Sequence, residues 1–277
     1  MNPLVLAPTT LMNAPPLAFL HAASEAGYDG VGLRLYRSPN LPFFPVVGDA
    51  ALIRDMKALI ETAGLDVLDI FTFYLLPETR VVDFRAALEL GAWFGARYAV
   101  VQGNDPDPSR LRDNFTRTCD MANELGLTIV VEFVPARWLS TLAAAVRLLE
   151  QAARRNVGIC IDPLHLVGSR GSAAELRRVD RRLLPYAQFC DGRLAPGEPD
   201  PALGRTRPGE RALPGEGNLP LDDILDALPE GIPLSLEVLR PENWSGSDTE
   251  WARLVLMRSR DYLASRPRRR SRGGSRS

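Results

Sequence analysis

A chain of 277 residues with 45% hydrophobic content holds enough apolar material for one large core. Its two histidines, single lysine and three widely spaced cysteines exclude several chemistries. Sites built from many imidazoles are ruled out, and neither a Cys-x-x-Cys pair nor a disulfide framework is present. Net charge is −1 but uneven: residues Arg266 to Ser277 carry six arginines and no acid, which leaves the body near −7, unlike a DNA-binding surface.

No apolar run is long enough to span a membrane, and Met1 to Ala7 lacks the basic flank and long apolar stretch of a secretory leader, so a cytoplasmic location is expected. Short β-type runs alternate with longer helical ones. The strand candidates are residues 4–6, 30–35, 67–71, 98–101, 128–132, 158–162, 186–190 and 234–238. They recur about every 30 residues, the length of one strand-plus-helix unit. Eight such units predict an α/β fold, a single (β/α)8 TIM barrel over residues 1–265, followed by a disordered Arg-rich tail over 266–277.

Pro15-Pro16 opens the first helix, where proline is tolerated. Lys57 lies in a helical run, away from any strand end, which argues against Schiff-base chemistry. Gly27, Gly64, Gly126 and Gly158 stand where left-handed helix caps are expected. Ser172-Ala173-Ala174-Glu175 and Ser247-Asp248-Thr249-Glu250 fit the capping box. His21 falls in a helical run and reads as structural, and Cys160, inside a strand, as a small core residue. Gly192 to Asn218 breaks the rhythm. This long Pro/Gly-rich loop after strand seven carries Arg193, Arg205, Arg207 and Arg211 and is expected to act as a lid.

Four apolar strands end in polar side chains: Glu132, Asp162, Gln188 and Glu237. A carboxylate at the end of a branched apolar run is costly to bury unless paired or metal-bound. In a (β/α)8 barrel these ends converge on one mouth. Three carboxylates and an amide oxygen make a hard donor set suited to Mn²⁺ or Mg²⁺, with Co²⁺ or Zn²⁺ as substitutes. His165 is either a loop histidine bonded to backbone or an imidazole facing substrate beside the metal. Gln102 and Asn104 follow strand four and offer hydroxyl contacts. Phe71, Phe73, Tyr74, Trp138 and Trp244 lie after strands and offer either packing or an apolar pocket wall. Among the loop arginines, Arg211 is the candidate for a substrate carboxylate or phosphate. No Walker loop, dinucleotide fingerprint or Gly-x-Ser-x-Gly elbow occurs.

Val131-Glu132-Phe133, Ile161-Asp162-Pro163-Leu164-His165, Gln188-Phe189-Cys190-Asp191, Pro214-Gly215-Glu216-Gly217 and Leu236-Glu237-Val238, in that order, resemble the xylose isomerase-like, sugar phosphate isomerase/epimerase superfamily from Leu4 to about Leu263. The resemblance implies metal ligation by Glu132, Asp162, Gln188 and Glu237, and substrate contact by His165. The chain departs from the commonest pattern in two places. Gln188 stands where many members have histidine, and Arg34 ends strand two where many have an acid; it either binds substrate charge or pairs with a carboxylate.

The implied activity is metal-dependent isomerisation or epimerisation of a keto-sugar or keto-cyclitol through an enediolate, with Glu132 and Glu237 moving protons. A lyase of the inosose or 3-dehydroshikimate dehydratase type is the alternative, and a non-catalytic barrel subunit a second. An endonuclease IV-like repair barrel needs more histidines than the chain has. The expected partner is a small polyhydroxy carbonyl substrate, with no nucleic acid and no membrane; a homo-oligomer is compatible with the fold.

Overall fold

The computed structural model describes residues 2–38, 41–194 and 211–266. Its central sheet has eight parallel strands: β1 (Leu4–Leu6), β2 (Gly30–Leu33), β3 (Asp66–Leu75), β4 (Tyr98–Gly103), β5 (Thr128–Val131), β6 (Val157–Ile159), β7 (Ala187–Phe189) and β10 (Leu234–Leu236). Their hydrogen-bonded order is β6-β5-β4-β3-β2-β1-β10-β7, and a parallel bridge from Ile161 to Ala187 brings the two ends together. This is the (β/α)8 barrel expected from the repeat. A separate antiparallel pair, β8 (Asp191–Gly192) and β9 (Arg211–Ala212), stands beyond β7.

Helices α1 (Pro16–Ala26), α2 (Ala50–Ala63), α3 (Arg85–Phe94), α4 (Pro108–Glu124), α5 (Leu142–Ala152), α6 (Pro163–Gly168), α7 (Ala173–Leu176), α8 (Leu221–Ala227) and α9 (Asp248–Ser265) connect and cover the strands. Both expected capping boxes form, at α7 and α9. Gly27 and Gly64 end α1 and α2 in the left-handed region, with φ of 87° and 64°. Gly158 does not act as a cap. It lies within β6, where a Cβ would press on Pro185, and the left-handed residue after α5 is Ala153.

Side chains alternate across each strand, and the strands separate two cores. Val5, Leu68, Phe71, Val100, Val130, Cys160 and Tyr186 pack together inside the barrel. Their neighbours Leu4, Leu6, Val67, Ile70, Ala99, Val101, Ile129, Val131, Ile159 and Ile161 belong to the larger layer between strands and helices. Among the described residues no helix is long and apolar enough to cross a membrane. The expected lid falls largely on residues 195–210, with Arg205 and Arg207, outside the described residues, as do tail residues 267–277. Arg266, placed in the tail by sequence, is docked instead: its guanidinium meets Asp222 at 2.8 Å and Asp226 at 2.7 Å on α8.

Candidate active site

The alternation that builds the inner core also aims the polar strand ends. Val130 points inward, so Glu132, two residues on, points inward above it; Gln102 follows Val100, Asp162 follows Cys160, and Gln188 follows Tyr186 in the same way. Glu237 sits one residue beyond outward-facing Leu236. Its position is held by Thr10, whose hydroxyl donates to the Leu236 carbonyl at 2.7 Å and accepts from the Val238 amide at 3.2 Å. All five are buried.

Each oxygen of Asp162 has a distinct task. Asp162 is the N-cap of α6, and its Oδ1 accepts from the Leu164 and His165 amides at 2.7 and 3.2 Å. That leaves Oδ2 for Arg211, whose Nη1 approaches to 2.6 Å. The same cap brings the His165 ring into the mouth, with Nε2 at 3.6 Å from Glu132 Oε1 and 4.0 Å from Asp162 Oδ2. Glu132 Oε2 accepts a 2.6 Å hydrogen bond from Gln102 Nε2.

Arg211 reaches the site because β9 folds back on β8, pairing Gly192 with Arg211. Buried Asp191 anchors this return. Its carboxylate accepts from the amides of Gly192, Gly215, Gly217 and Leu219, which folds the Pro214-Gly215-Glu216-Gly217 motif around it. A Cβ on Gly217 would collide with that carboxylate and the Gly192 carbonyl. The Arg211 guanidinium also donates to Cys190 Sγ at 2.9 Å and lies 3.5 Å from Glu237 Oε1. It is thus directed at the site's own acids.

Charge follows from this packing. Burial raises the Glu132 pKa to about 8, reinforced by Glu237 and Asp162 and opposed by Gln102 and Arg211. Burial also raises Glu237, against the pull of Arg211. For Asp162 burial acts upward too, but Arg211 and His165 outweigh it and hold its pKa below the ordinary value. Burial lowers His165 to about 4, so its imidazole is neutral at pH 7. Deeper in the barrel, burial raises Asp69 to about 7.

These groups surround a cavity of about 40 Å³, whose wall includes Thr9, Phe71, Tyr74, Gln102, Glu132, Arg137, His165, Arg211 and Glu237. Asp162 and Gln188 are buried but do not reach that wall. Asn104 is half-buried and off the wall, and its backbone N–H donates to the Leu75 carbonyl. Trp138 turns outward, 64% exposed, while its neighbour Arg137 enters the cavity and lies over the Tyr74 ring at 5.4 Å. Phe73 packs with Tyr36 and Phe84, and Trp244 with Trp251, away from the mouth. Arg137 and Thr9 are wall residues that the strand-end pattern does not single out; both lie in turns beyond the strands.

Part of the donor set suits a divalent cation. Gln188 Oε1 and Glu237 Oε2 are buried acceptors with no hydrogen-bond donor, and three acids crowd beside Arg211. Among the described residues, ligand atoms of Glu132, Asp162 and His165 lie within 4.8 Å of one another. Glu237 is not part of that group, and the Arg211 guanidinium lies between it and Asp162.

No curated protein matches the sequence. Solved structures do match the fold. The IolI protein with a bound zinc aligns with TM-score 0.78 and 22% identity, covering 95% of this chain and 98% of that one. A probable 3-DHS dehydratase, AsbF, from Bacillus anthracis aligns at 0.73 and 15%, covering 96% and 100%. D-allulose 3-epimerase from Methylomonas sp., in complex with D-allulose, aligns at 0.67 and 17%, covering 94% and 97%. The family model described as xylose isomerase-like TIM barrel matches residues 20–255. The order of the strand-end acids, the barrel that gathers them and this match lead to one conclusion: the chain belongs to the xylose isomerase-like TIM barrel family.

Proposed function

We propose that the protein is a divalent-metal-dependent isomerase or epimerase of a small keto compound of the keto-sugar or keto-cyclitol class. The observation that carries this reading is the pair Glu132 and Glu237. Both are buried, both reach the wall of one cavity, and they come from strand ends with β6 and β7 between them. Two carboxyl groups flanking one small cavity can remove a proton from one face of a carbon and return it to another.

Glu132, Asp162, Gln188 and Glu237 would hold the cation, with His165 close to the first two. When bound, the cation supplies the charge that polarises a ketone oxygen and acidifies the neighbouring C–H. Glu132 takes the proton: it lies on the cavity wall, and the charge of the cation would keep its carboxylate ionised near neutral pH. Gln102 fixes one Glu132 oxygen and leaves the other facing His165. Neutral His165 donates a hydrogen bond to a substrate oxygen without adding charge. Glu237 returns the proton, its Oε2 being free of any donor. Tyr74 and Phe71 close the wall and exclude water.

The test is metal analysis combined with turnover. Purified protein is stripped with a chelator, reloaded with Mn²⁺, Mg²⁺, Co²⁺ or Zn²⁺, and assayed against ketohexoses, ketopentoses and inososes. The reading expects about one equivalent of metal per chain, loss of turnover on stripping and recovery on reloading. Full turnover by the stripped protein would reject it.

A further inference from the structure

Beside the mouth lies a second cavity, also about 40 Å³, lined by apolar side chains that include Leu11, Met12, Phe19, Val46 and Met56, and by one charged residue, Arg34. By the volume one water requires, this is room for roughly three waters, the size of a short branched alkyl group. Consecutive residues line the two cavities. Pro8 and Pro42 line the apolar one, and their chain neighbours Thr9 and Leu41 line the mouth.

Arg34 lines the apolar cavity and lies within electrostatic reach of Tyr74 and Glu237 on the wall of the mouth. Inward-facing Gly32 is followed two residues later by Arg34, while Val31 and Leu33 face the outer core. Its Nη1 donates to the Pro42 carbonyl at 2.9 Å. Its Nε and Nη2 are buried with no acceptor, and among the described residues no carboxylate lies within ion-pair distance. Burial lowers its pKa, with Tyr74 and Glu237 only partly opposing. A half-buried guanidinium whose buried Nε and Nη2 are idle on one side matches the two oxygens of a carboxylate. Apart from Arg34 the side chains lining this cavity are apolar, so a polyol placed against them would lose hydrogen bonds to water.

We infer that Arg34 and this apolar cavity form a subsite for the unreactive part of the substrate, which carries a carboxylate and a short unhydroxylated alkyl limb. The substrate is then an acidic, partly deoxygenated relative of the keto-sugars and keto-cyclitols, and not a neutral polyhydroxy ketone. This rests on the reading of the mouth as the place where a carbon beside a ketone is deprotonated.

The test is calorimetric titration of the Mn²⁺-loaded full chain with four probes. These are 4-methyl-2-oxopentanoate, pyruvate (no limb), 4-methyl-2-pentanone (no carboxylate) and D-fructose (neutral polyol). The subsite predicts that 4-methyl-2-oxopentanoate binds about ten-fold or more tightly than each of the others, the scale of one charge-assisted contact or one filled apolar pocket. Arg34→Met brings it down to the level of the neutral ketone, and Arg34→Lys, which keeps charge but not the fork, falls between. Met12→Gln, at a half-buried wall position, narrows the gap from pyruvate.

Equal binding of 4-methyl-2-oxopentanoate by wild type and Arg34→Met, equal binding of D-fructose, or no measurable binding at millimolar concentration would overturn the inference. Deuterium uptake beside the ketone, followed in the same samples, separates the two readings. Glu132-dependent exchange on D-fructose without the carboxylate preference rejects the subsite and keeps the isomerase. The preference without exchange on any probe does the reverse.

Discussion

Replacing Arg211 by methionine tests how the site tolerates its acids. The Arg211 side chain is 1% exposed and Asp162 0%, with 2.6 Å between Nη1 and Oδ2, and Glu237 lies 3.5 Å from the same guanidinium. Removing one partner of a buried pair leaves the other charge uncompensated, at a cost of about 3–5 kcal/mol. Against a typical domain stability of about 5–15 kcal/mol, that is a large fraction. The assay is urea unfolding at pH 7 with chelator present. The loss should shrink on acidification. Asp162 has a depressed folded pKa, so its contribution is present above the unfolded carboxylate value and is lost as pH falls through the folded one. It should also shrink when Mn²⁺ is added, because the cation replaces the lost positive charge beside Asp162 and Glu237 and so binds the variant more tightly than wild type, a tenfold difference in Kd being worth about 1.4 kcal/mol. A loss below about 1 kcal/mol in chelator at pH 7 would refute the claim that Arg211 compensates buried charge.

Glu132 gives the opposite pH trend. A carboxyl whose folded pKa is about 8 binds its proton more tightly when folded, so chelated protein should lose stability, on the order of a few kcal/mol, as pH rises from 5 to 8; Glu132→Gln should flatten that slope in urea titrations. Gln188→Leu should leave unfolding within about 1 kcal/mol of wild type, because Oε1 has no partner in the protein, yet weaken Mn²⁺ binding at least about ten-fold by calorimetry, the loss of one ligand. Gly217→Ala should destabilise by about 1–3 kcal/mol, since the new methyl meets the Asp191 carboxylate. It should also lower kcat, through Arg211, more than it raises KM.

The barrel and the strand-end residues were legible because two periodicities coincide. A repeat of strand and helix predicts the fold, and alternation within each strand carries Glu132, Asp162 and Gln188 to the inside once Val130, Cys160 and Tyr186 are taken as core. Alternation stops at the strand end. It says nothing of which neighbour in a turn faces the mouth, so Trp138 drew attention for its ring while Arg137 lines the cavity. Nor does it reveal long-range partners. That Gln102 is bonded to Glu132, and that Arg211 is carried by a hairpin into contact with Asp162, depends on strands and loops far apart in sequence. Arg34 stood open between pairing and substrate binding, and only the three-dimensional surroundings leave its two N–H groups without an acceptor among the described residues. Gly158 misled for a local reason: small size beside Pro185, and not a left-handed turn, places it in β6.

The most direct test of the central claim, that Glu132 and Glu237 relay a proton at a carbon beside a ketone, is hydrogen exchange with solvent. Metal-loaded protein is incubated in D₂O with its keto substrate and followed by proton NMR. The account predicts deuterium at the carbon next to the carbonyl without loss of water from the substrate. It further predicts that exchange falls by about 10²-fold or more in Glu132→Gln and in Glu237→Gln, with both variants still folded. Exchange at wild-type rate in either variant would contradict it, and a conjugated product formed by loss of water would move the enzyme to the lyases.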